Sequence, residues 1–326
     1  MAALREALAF RPAEAVGSIA PLERTEFSVT ELEEYLRCPY DYYVKYRLKV
    51  TPLEDVSEDI SARDRGSKVH AVLRRFYEEW KGPVIAQDRA QARELLARLA
   101  AAEFDREADT FRNRREKEFF LNTMAERFLN AEEAFWTQGL QPAYLERKID
   151  SFPLTLSDGT AVELHGKIDR IDLDQDGNFI VVDYKTGKYP RPKMSVEQEI
   201  FQLPVYAMMA AAELSGAEPS LARPIGLAYY DLKGVYRGNA RDVVLYNREI
   251  RTDHPAAMSK ASPKGAEEFE AILKQGVDRA RKAIEGIRAG FFPSLPKKKG
   301  DCRNCPNELL CDRQDEEEEG EEQKEE

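Results

Sequence analysis

A mixed α/β domain is the fold class this sequence predicts, and three observations carry it. Two runs with the β-branched and apolar content of strands, KIDRIDL from residue 167 and NFIVVDYK from residue 178, flank Asp176-Gly177, a pair suited to a tight hairpin turn. Val69, Val72, Leu73, Phe76, Tyr77 and Trp80 recur at helical spacing across residues 63–80. Strand-like and helix-like segments then alternate as far as residue 289.

Taken in order, Ser28 and Glu31 form a capping box ahead of Leu32, Tyr35 and Leu36, so a helix begins there. Pro39 disfavours helical backbone at Cys38 and marks its end. The 63–80 helix buries its apolar stripe and leaves His70 at the edge. Residues 86–108 and 115–138 are rich in Ala, Leu, Glu and Arg, with Phe119, Met124, Phe128 and Phe135 at apolar positions, and predict two further helices in a helical layer. Strands are expected at 144–149, 161–173, 178–185, 225–232 and 243–249, with helices at 195–214 and 265–289. There is no internal repeat, and no G-x4-G-K-[ST] phosphate loop is visible, so no ATP motor is expected.

A length of 326 residues suits one elaborated domain with helical additions, and 14 Tyr and 15 Phe supply a substantial core. The formal charge of −11 at first argues against nucleic acid. Residues 312–326 hold ten acids and two bases, however, and account for −8 of it. Such a block is normally solvated and disordered, so the expected organisation is a flexible segment over 1–25, a domain over 26–311 and a disordered acidic tail over 312–326. Basic clusters at Arg112, Arg114, Arg115 and Lys117, and at Lys297, Lys298 and Lys299, are either solvated faces or phosphate contacts. No apolar leader or long apolar run is present, so a soluble cytoplasmic protein is expected, without membrane contact.

The chemistry concentrates in the hairpin. Asp183 and Lys185 are two residues apart on one strand and project from the same face. With a five-residue loop Asp169 falls opposite Asp183; with a four-residue loop it falls opposite Val182. The first register is favoured, and it gathers Asp169, Asp183 and Lys185 on one face. Carboxylates at cross-strand distance repel unless a cation lies between them, and hard oxygen donors select Mg²⁺ or Mn²⁺ over Zn²⁺. A lysine beside that cation can hold or deprotonate a water, which is what phosphodiester hydrolysis requires. Glu146 is either a third acid of this group or a strand-edge charge. His165 and His254 have no comparable context. Far from the hairpin, Cys302, Cys305 and Cys311 read C-x2-C-x5-C, with Cys38 upstream; four thiolates suit zinc or an iron–sulfur cluster, and spacing does not separate the two.

RGSKVHAVL at 65–73, GKIDRID at 166–172, VVDYKTG at 181–187, the Q-x3-Y of Gln202 and Tyr206, RCPYDYY at 37–43 and the cysteines together resemble the PD-(D/E)XK nuclease superfamily, in the branch of RecB, AddB and Cas4-type exonucleases. The resemblance spans residues 28–311. It implies a restriction-endonuclease-like core, a central mixed sheet flanked by helices, with a helical layer at about 60–138 and a cysteine-clamped terminus. It further implies that His70, Asp169, Asp183 and the Tyr184 carbonyl hold the metal, that Lys185 is the catalytic lysine, and that Gln202 and Tyr206 organise the site or touch DNA. Core packing is the plain alternative for Tyr206. Cys38, Cys302, Cys305 and Cys311 would hold a [4Fe-4S] cluster, zinc being the lesser occupant. The implied activity is a Mg²⁺- or Mn²⁺-dependent DNA exonuclease of repair, recombination or DNA processing, acting on single-stranded DNA or ended duplex with a helicase partner. The alternative is a catalytically silent DNA-binding or scaffold protein on the same fold.

Overall fold

The structure, a computed structural model, describes residues 23–50, 61–82, 84, 86–105, 111–135, 139–187, 200–216, 222–234, 240–250, 263–297, 302 and 305–311. The acidic tail, His254, Lys298, Lys299 and the chain before residue 23 lie outside the described residues.

Strand β1 (Glu26–Ser28) runs into helix α1 (Val29–Arg37) through the expected capping box, in which Ser28 Oγ accepts from Glu31 N at 3.1 Å and Glu31 Oε1 accepts from Ser28 N at 3.2 Å. Cys38 is extended, with φ −159°, because Pro39 follows it and opens the short helix α2 (Pro39–Tyr42). Helix α3 (Ala62–Glu79) starts on a Ser61 cap, and α4 (Arg89–Phe104) packs beside it. The region expected as one α-helix from 115 is α5 (Phe111–Phe119) and α6 (Ala125–Phe135) joined by a π-turn at Phe120–Met124, where Phe120 and Met124 are buried.

Next come β2 (Gln141–Thr155), β3 (Ala161–Leu173), β4 (Asn178–Lys185), α7 (Gln202–Ser215), β5 (Arg223–Asp231), β6 (Arg241–Asn247), β7 (Pro263–Lys264) and α8 (Ala266–Arg288). The seven strands make one mixed sheet, in which β3 pairs antiparallel with β2 and β4 and parallel with β1, and β4 and β5 are parallel. The strand expected at 144–149 is more than twice that length because β2 follows β3 from Thr155↔Ala161 to Gln141↔Leu173. Since β2 takes one whole edge of β3, β1 and β4 divide the other: β1 pairs with 163–165 and β4 with 170–173. Residues 166–169 lie between them.

Each face of the sheet is covered. On one face Phe27, Leu32, Tyr206, Met209, Phe269 and Ile284 bring α1, α7 and α8 against Phe179 and Val181; on the other Val69, Phe76, Leu96 and Phe128 bring the helical layer against Ile180 and Val182. Burying a side chain of this size contributes roughly 1.5–3 kcal/mol. Among the described residues, no helix is long and apolar enough to cross a membrane.

Close helix contacts depend on small residues. The Tyr35 hydroxyl of α1 donates to the Phe291 carbonyl at 2.8 Å by passing over Gly286 of α8, where a methyl group would overlap it. Gly286→Ala is therefore expected to destabilise the protein by about 1–3 kcal/mol in urea unfolding, in spite of alanine's higher helix propensity. In a Tyr35→Phe background, which lacks the overlapped oxygen, the same substitution should cost at least about 0.5 kcal/mol less.

Candidate active site

Three adjacent strands each place one acid at the same level of the sheet. The β3–β4 register runs from Leu173↔Phe179 to Arg170↔Val182, closed by a loop of residues 174–178, and one step further it sets Asp169 against Asp183. Gly177 at φ +80° and the Asp174 side chain, which accepts from Asp176 N at 2.9 Å and Asn178 N at 2.8 Å, fix that loop. The favoured register is the one found. On β2, Glu146 falls between the pairs Leu145↔Arg170 and Arg147↔Ile168, which sets it across from Asp169. Its φ of +50° is left-handed in mid-strand, a conformation that costs on the order of 1–3 kcal/mol for a residue with a side chain.

Helix α3 brings His70 to these acids. Its Nδ1 lies 3.3 Å from Glu146 Oε1 and 3.4 Å from Asp169 Oδ1, and its Nε2 lies 3.2 Å from the Tyr184 carbonyl. Asp169 Oδ2 accepts from Tyr184 N at 2.9 Å. Lys167 pairs with Glu146 Oε2, and Lys185 Nζ lies 2.7 Å from Asp183 Oδ2. Burial disfavours the imidazolium of His70, but Asp169 and Glu146 outweigh it and push the pKa up to about 10. Burial also pushes Asp183 up to about 6, with the opposing charge of Lys185 exceeding the reinforcement from Asp169. The Lys185 ammonium is disfavoured by burial yet held above its usual range by Asp183, Glu33 and Asp169. Glu146 is kept below the usual carboxylate range: burial would raise it, and the hydrogen bonds of His70 and Lys167 prevail.

Of the residues singled out in the sequence, His70, Asp169, Asp183, Tyr184 and Lys185 meet here. The Tyr184 side chain points to the opposite face and packs with Ile180 and Val182. Tyr206 packs on the core side against Gly166, where a Cβ would come within 2.7 Å of its ring, and its hydroxyl reaches the Lys167 backbone. Burial and the charges of Asp183, Asp169 and Glu33 raise its pKa, so it packs in the core with those carboxylates nearby. Gln202 opens the same helix one turn earlier. Sequence reasoning leaves Glu146 undecided: the Ser157–Gly159 turn folds β2 back along β3, but the register shift between Ile149 and Phe152 is what sets Glu146 across from Asp169.

The donor set suits a divalent cation. His70, Glu146 and Asp169 offer ligand atoms that all lie within 4.8 Å of one another. Glu146 Oε1 and Asp183 Oδ2 are buried, facing only the cationic His70 Nδ1 and Lys185 Nζ, and a carboxylate oxygen so placed has a further lone pair for a metal. Carboxylates with one imidazole match Mg²⁺ or Mn²⁺ chemistry.

At the other end of α1 the cysteines gather. Lys297 N donates to the Arg37 carbonyl at 2.8 Å, Asn307 Nδ2 to Asp41 Oδ1 at 2.7 Å, and the Tyr40 hydroxyl to the Leu310 carbonyl. These bonds carry residues 305–311 back to Cys38. Cys311 is near enough to act on the thiols of both Cys38 and Cys305, which burial pushes up, and Cys305 N donates to the Cys302 carbonyl at 3.1 Å.

Comparison with known proteins gives a family. The profile of the PD-(D/E)XK nuclease superfamily matches residues 26–312. A protein of Clostridium acetobutylicum, named as one subunit of an ATP-dependent helicase/deoxyribonuclease, is 29% identical over 179 residues, 50% of this chain and 15% of that protein. Its namesake in Alkaliphilus oremlandii is 25% identical over 345 residues, 87% of this chain and 30% of that protein. The chain thus spans under a third of the length of these relatives. The crystal structure of SSO0001 covers 95% of this chain and 96% of its own at 14% identity, with a TM-score of 0.33, too low to carry an argument.

Removing the Glu146 carboxylate tests the donor set without reference to turnover. Mn²⁺ affinity, read by calorimetry on the protein alone, should fall roughly 10–100-fold in Glu146→Ala and at least as far in Asp169→Ala. Glu213→Ala, which removes a surface partner of Arg147 outside the donor set, should leave it unchanged.

Proposed function

We propose a function on one premise: the chain belongs to the PD-(D/E)XK nuclease superfamily, whose profile covers residues 26–312. The reading is a metal-dependent DNA exonuclease, acting in repair, recombination or DNA processing with a helicase partner, on single-stranded DNA or ended duplex. The relatives are named as subunits of a helicase/deoxyribonuclease, which supports DNA as substrate and a helicase as partner. The observation that carries the reading is the meeting of His70, Glu146 and Asp169 beside the Asp183–Lys185 pair.

In this reading His70, Asp169, Asp183 and the Tyr184 carbonyl hold Mg²⁺ or Mn²⁺, with Glu146 beside them. The ion, when bound, polarises the scissile phosphate and lowers the pKa of water. Glu146 and Asp169 fix the imidazole ring through Nδ1, which leaves Nε2 facing the Tyr184 carbonyl. Lys185, kept as an ammonium by Asp183, orients the attacking water and meets charge developing on the phosphate. Tyr206 closes the core side of the site, and Gln202, one turn away, faces the DNA. Cys38, Cys302, Cys305 and Cys311 hold a [4Fe-4S] cluster that ties the start of the domain to its end.

Lys185→Ala should lower cleavage of end-labelled DNA at saturating Mn²⁺ by at least about 100-fold while DNA binding and melting temperature stay near wild type, because the change removes a charge from the site and little packing. Near-normal turnover would exclude the assigned role. Single- and double-stranded substrates labelled at either end, with and without Mn²⁺, separate exonuclease from endonuclease action.

For the cysteines, anaerobically purified protein should be brown with about four irons per chain. Cys38→Ser should lose colour and stability together, since the cross-link closes a loop of about 264 residues and its entropy is on the order of 5 kcal/mol by analogy with a disulfide. A colourless protein with one zinc would replace the cluster and leave the nuclease reading standing.

A further inference from the structure

Behind the site lies a second group of charges that the nuclease reading leaves unused. Arg170 of β3 is 1% exposed, Asp172 0% and Glu132 of α6 2%. The guanidinium forks twice: NH1 donates to Glu132 Oε1 and NH2 to Glu132 Oε2, each at 3.0 Å, while Nε donates to Asp172 Oδ1 at 2.5 Å and NH2 to Asp172 Oδ2 at 3.0 Å. Three tyrosine hydroxyls complete the group. Tyr77 of α3 donates to Glu132 Oε2, Tyr230 of β5 donates to Glu132 Oε1 at 2.5 Å, and Tyr184 of β4 accepts from Arg170 NH1 at 3.4 Å.

Every element that supplies the candidate metal site except β2 also enters this group. On α3, Tyr77 follows His70 by seven residues, two helical turns, and so lies on the same side of the helix. On β3, Arg170 directly follows Asp169. On β4, Tyr184 stands between Asp183 and Lys185, donates its N–H to Asp169 and turns its carbonyl to His70. Buried ion pairs of this kind are often replaceable by apolar residues without loss of stability, so stability alone does not account for the group. Its directional bonds do something apolar packing does not: they fix the offset between two helices and three strands.

We propose that Glu132 and Arg170 are positioning residues for the metal site, holding the His70 helix at a set distance from Asp169 and Asp183 through Tyr77 and Tyr184. The inference rests on the metal-binding reading of that site and adds to it a purpose for the helical layer: α6 never reaches the site, yet Glu132 sets its dimensions.

The test is an apolar replacement of the ions, Arg170→Met with Glu132→Leu and Asp172→Leu, compared with the hydroxyl deletions Tyr77→Phe and Tyr184→Phe. Mn²⁺ affinity is read by calorimetry on the protein alone, next to the Mn²⁺ concentration that gives half-maximal cleavage and the melting temperature. The triple variant should melt as a folded protein, bind Mn²⁺ at least ten-fold more weakly and recover much of its cleavage rate when Mn²⁺ is raised. Each tyrosine variant should lose three-fold or more in Mn²⁺ affinity with little change in melting. Full Mn²⁺ affinity in a folded triple variant overturns the proposal; should that variant fail to fold, full affinity in both tyrosine variants overturns it. A wild type that binds Mn²⁺ and cleaves no DNA refutes the nuclease reading alone, because the affinity comparison still decides the positioning role.

Discussion

Like charges held close together govern this structure. Glu146, Asp169 and Asp183 sit at one level on three neighbouring strands, and the backbone of Glu146 is bent into a left-handed conformation in mid-strand. Strands pair readily without such an arrangement, so its cost has to be met by what surrounds it. His70, Lys167 and Lys185 do so with positive charge, and the imidazole carries a proton well above its ordinary range. That proton occupies the electrostatic place a divalent ion would take. Where the β3 edge passes from β1 to β4, the Asp169 carboxylate accepts the Tyr184 N–H in place of a backbone carbonyl.

Much of this was legible in the sequence. Asp176-Gly177 marks the hairpin, strand alternation puts Asp183 and Lys185 on one face, and the favoured five-residue loop sets Asp169 opposite Asp183, because register decides which side chains meet. The capping box at Ser28 and Glu31 was readable for the same reason: both rest on contacts three residues apart. What resisted reading depends on long-range pairing. The full length of β2 comes from its partner β3, and the place of Glu146 follows from the register shift at Ile149–Phe152, which no local pattern announces. Nothing in the Glu- and Arg-rich run of residues 115–138 distinguishes Glu132; only the tertiary fold shows that it faces inward.

The two cores meet at the site from opposite sides. His70 arrives with the helical layer, whereas Tyr206 belongs to the core of α1, α7 and α8. The site's dimensions therefore depend on how two separately packed bodies dock on one sheet. The Tyr35–Phe291 bond and the return of residues 305–311 to α2 brace the second body, and the Arg170 group braces the first. Neither brace touches the acids of the site, yet both limit how far its walls can move.

The π-turn at Phe120–Met124 gives the helical layer its angular phase. A π-turn spends one residue more than an α-turn, and one residue is about 100° of rotation, so every side chain beyond Met124 points about a quarter-turn away from where an unbroken helix would aim it. Glu132 lies two turns downstream. The wide turn is thus a dial that aims this carboxylate at Arg170, and a chain shortened by one residue there would keep its helix while turning Glu132 away from the sheet.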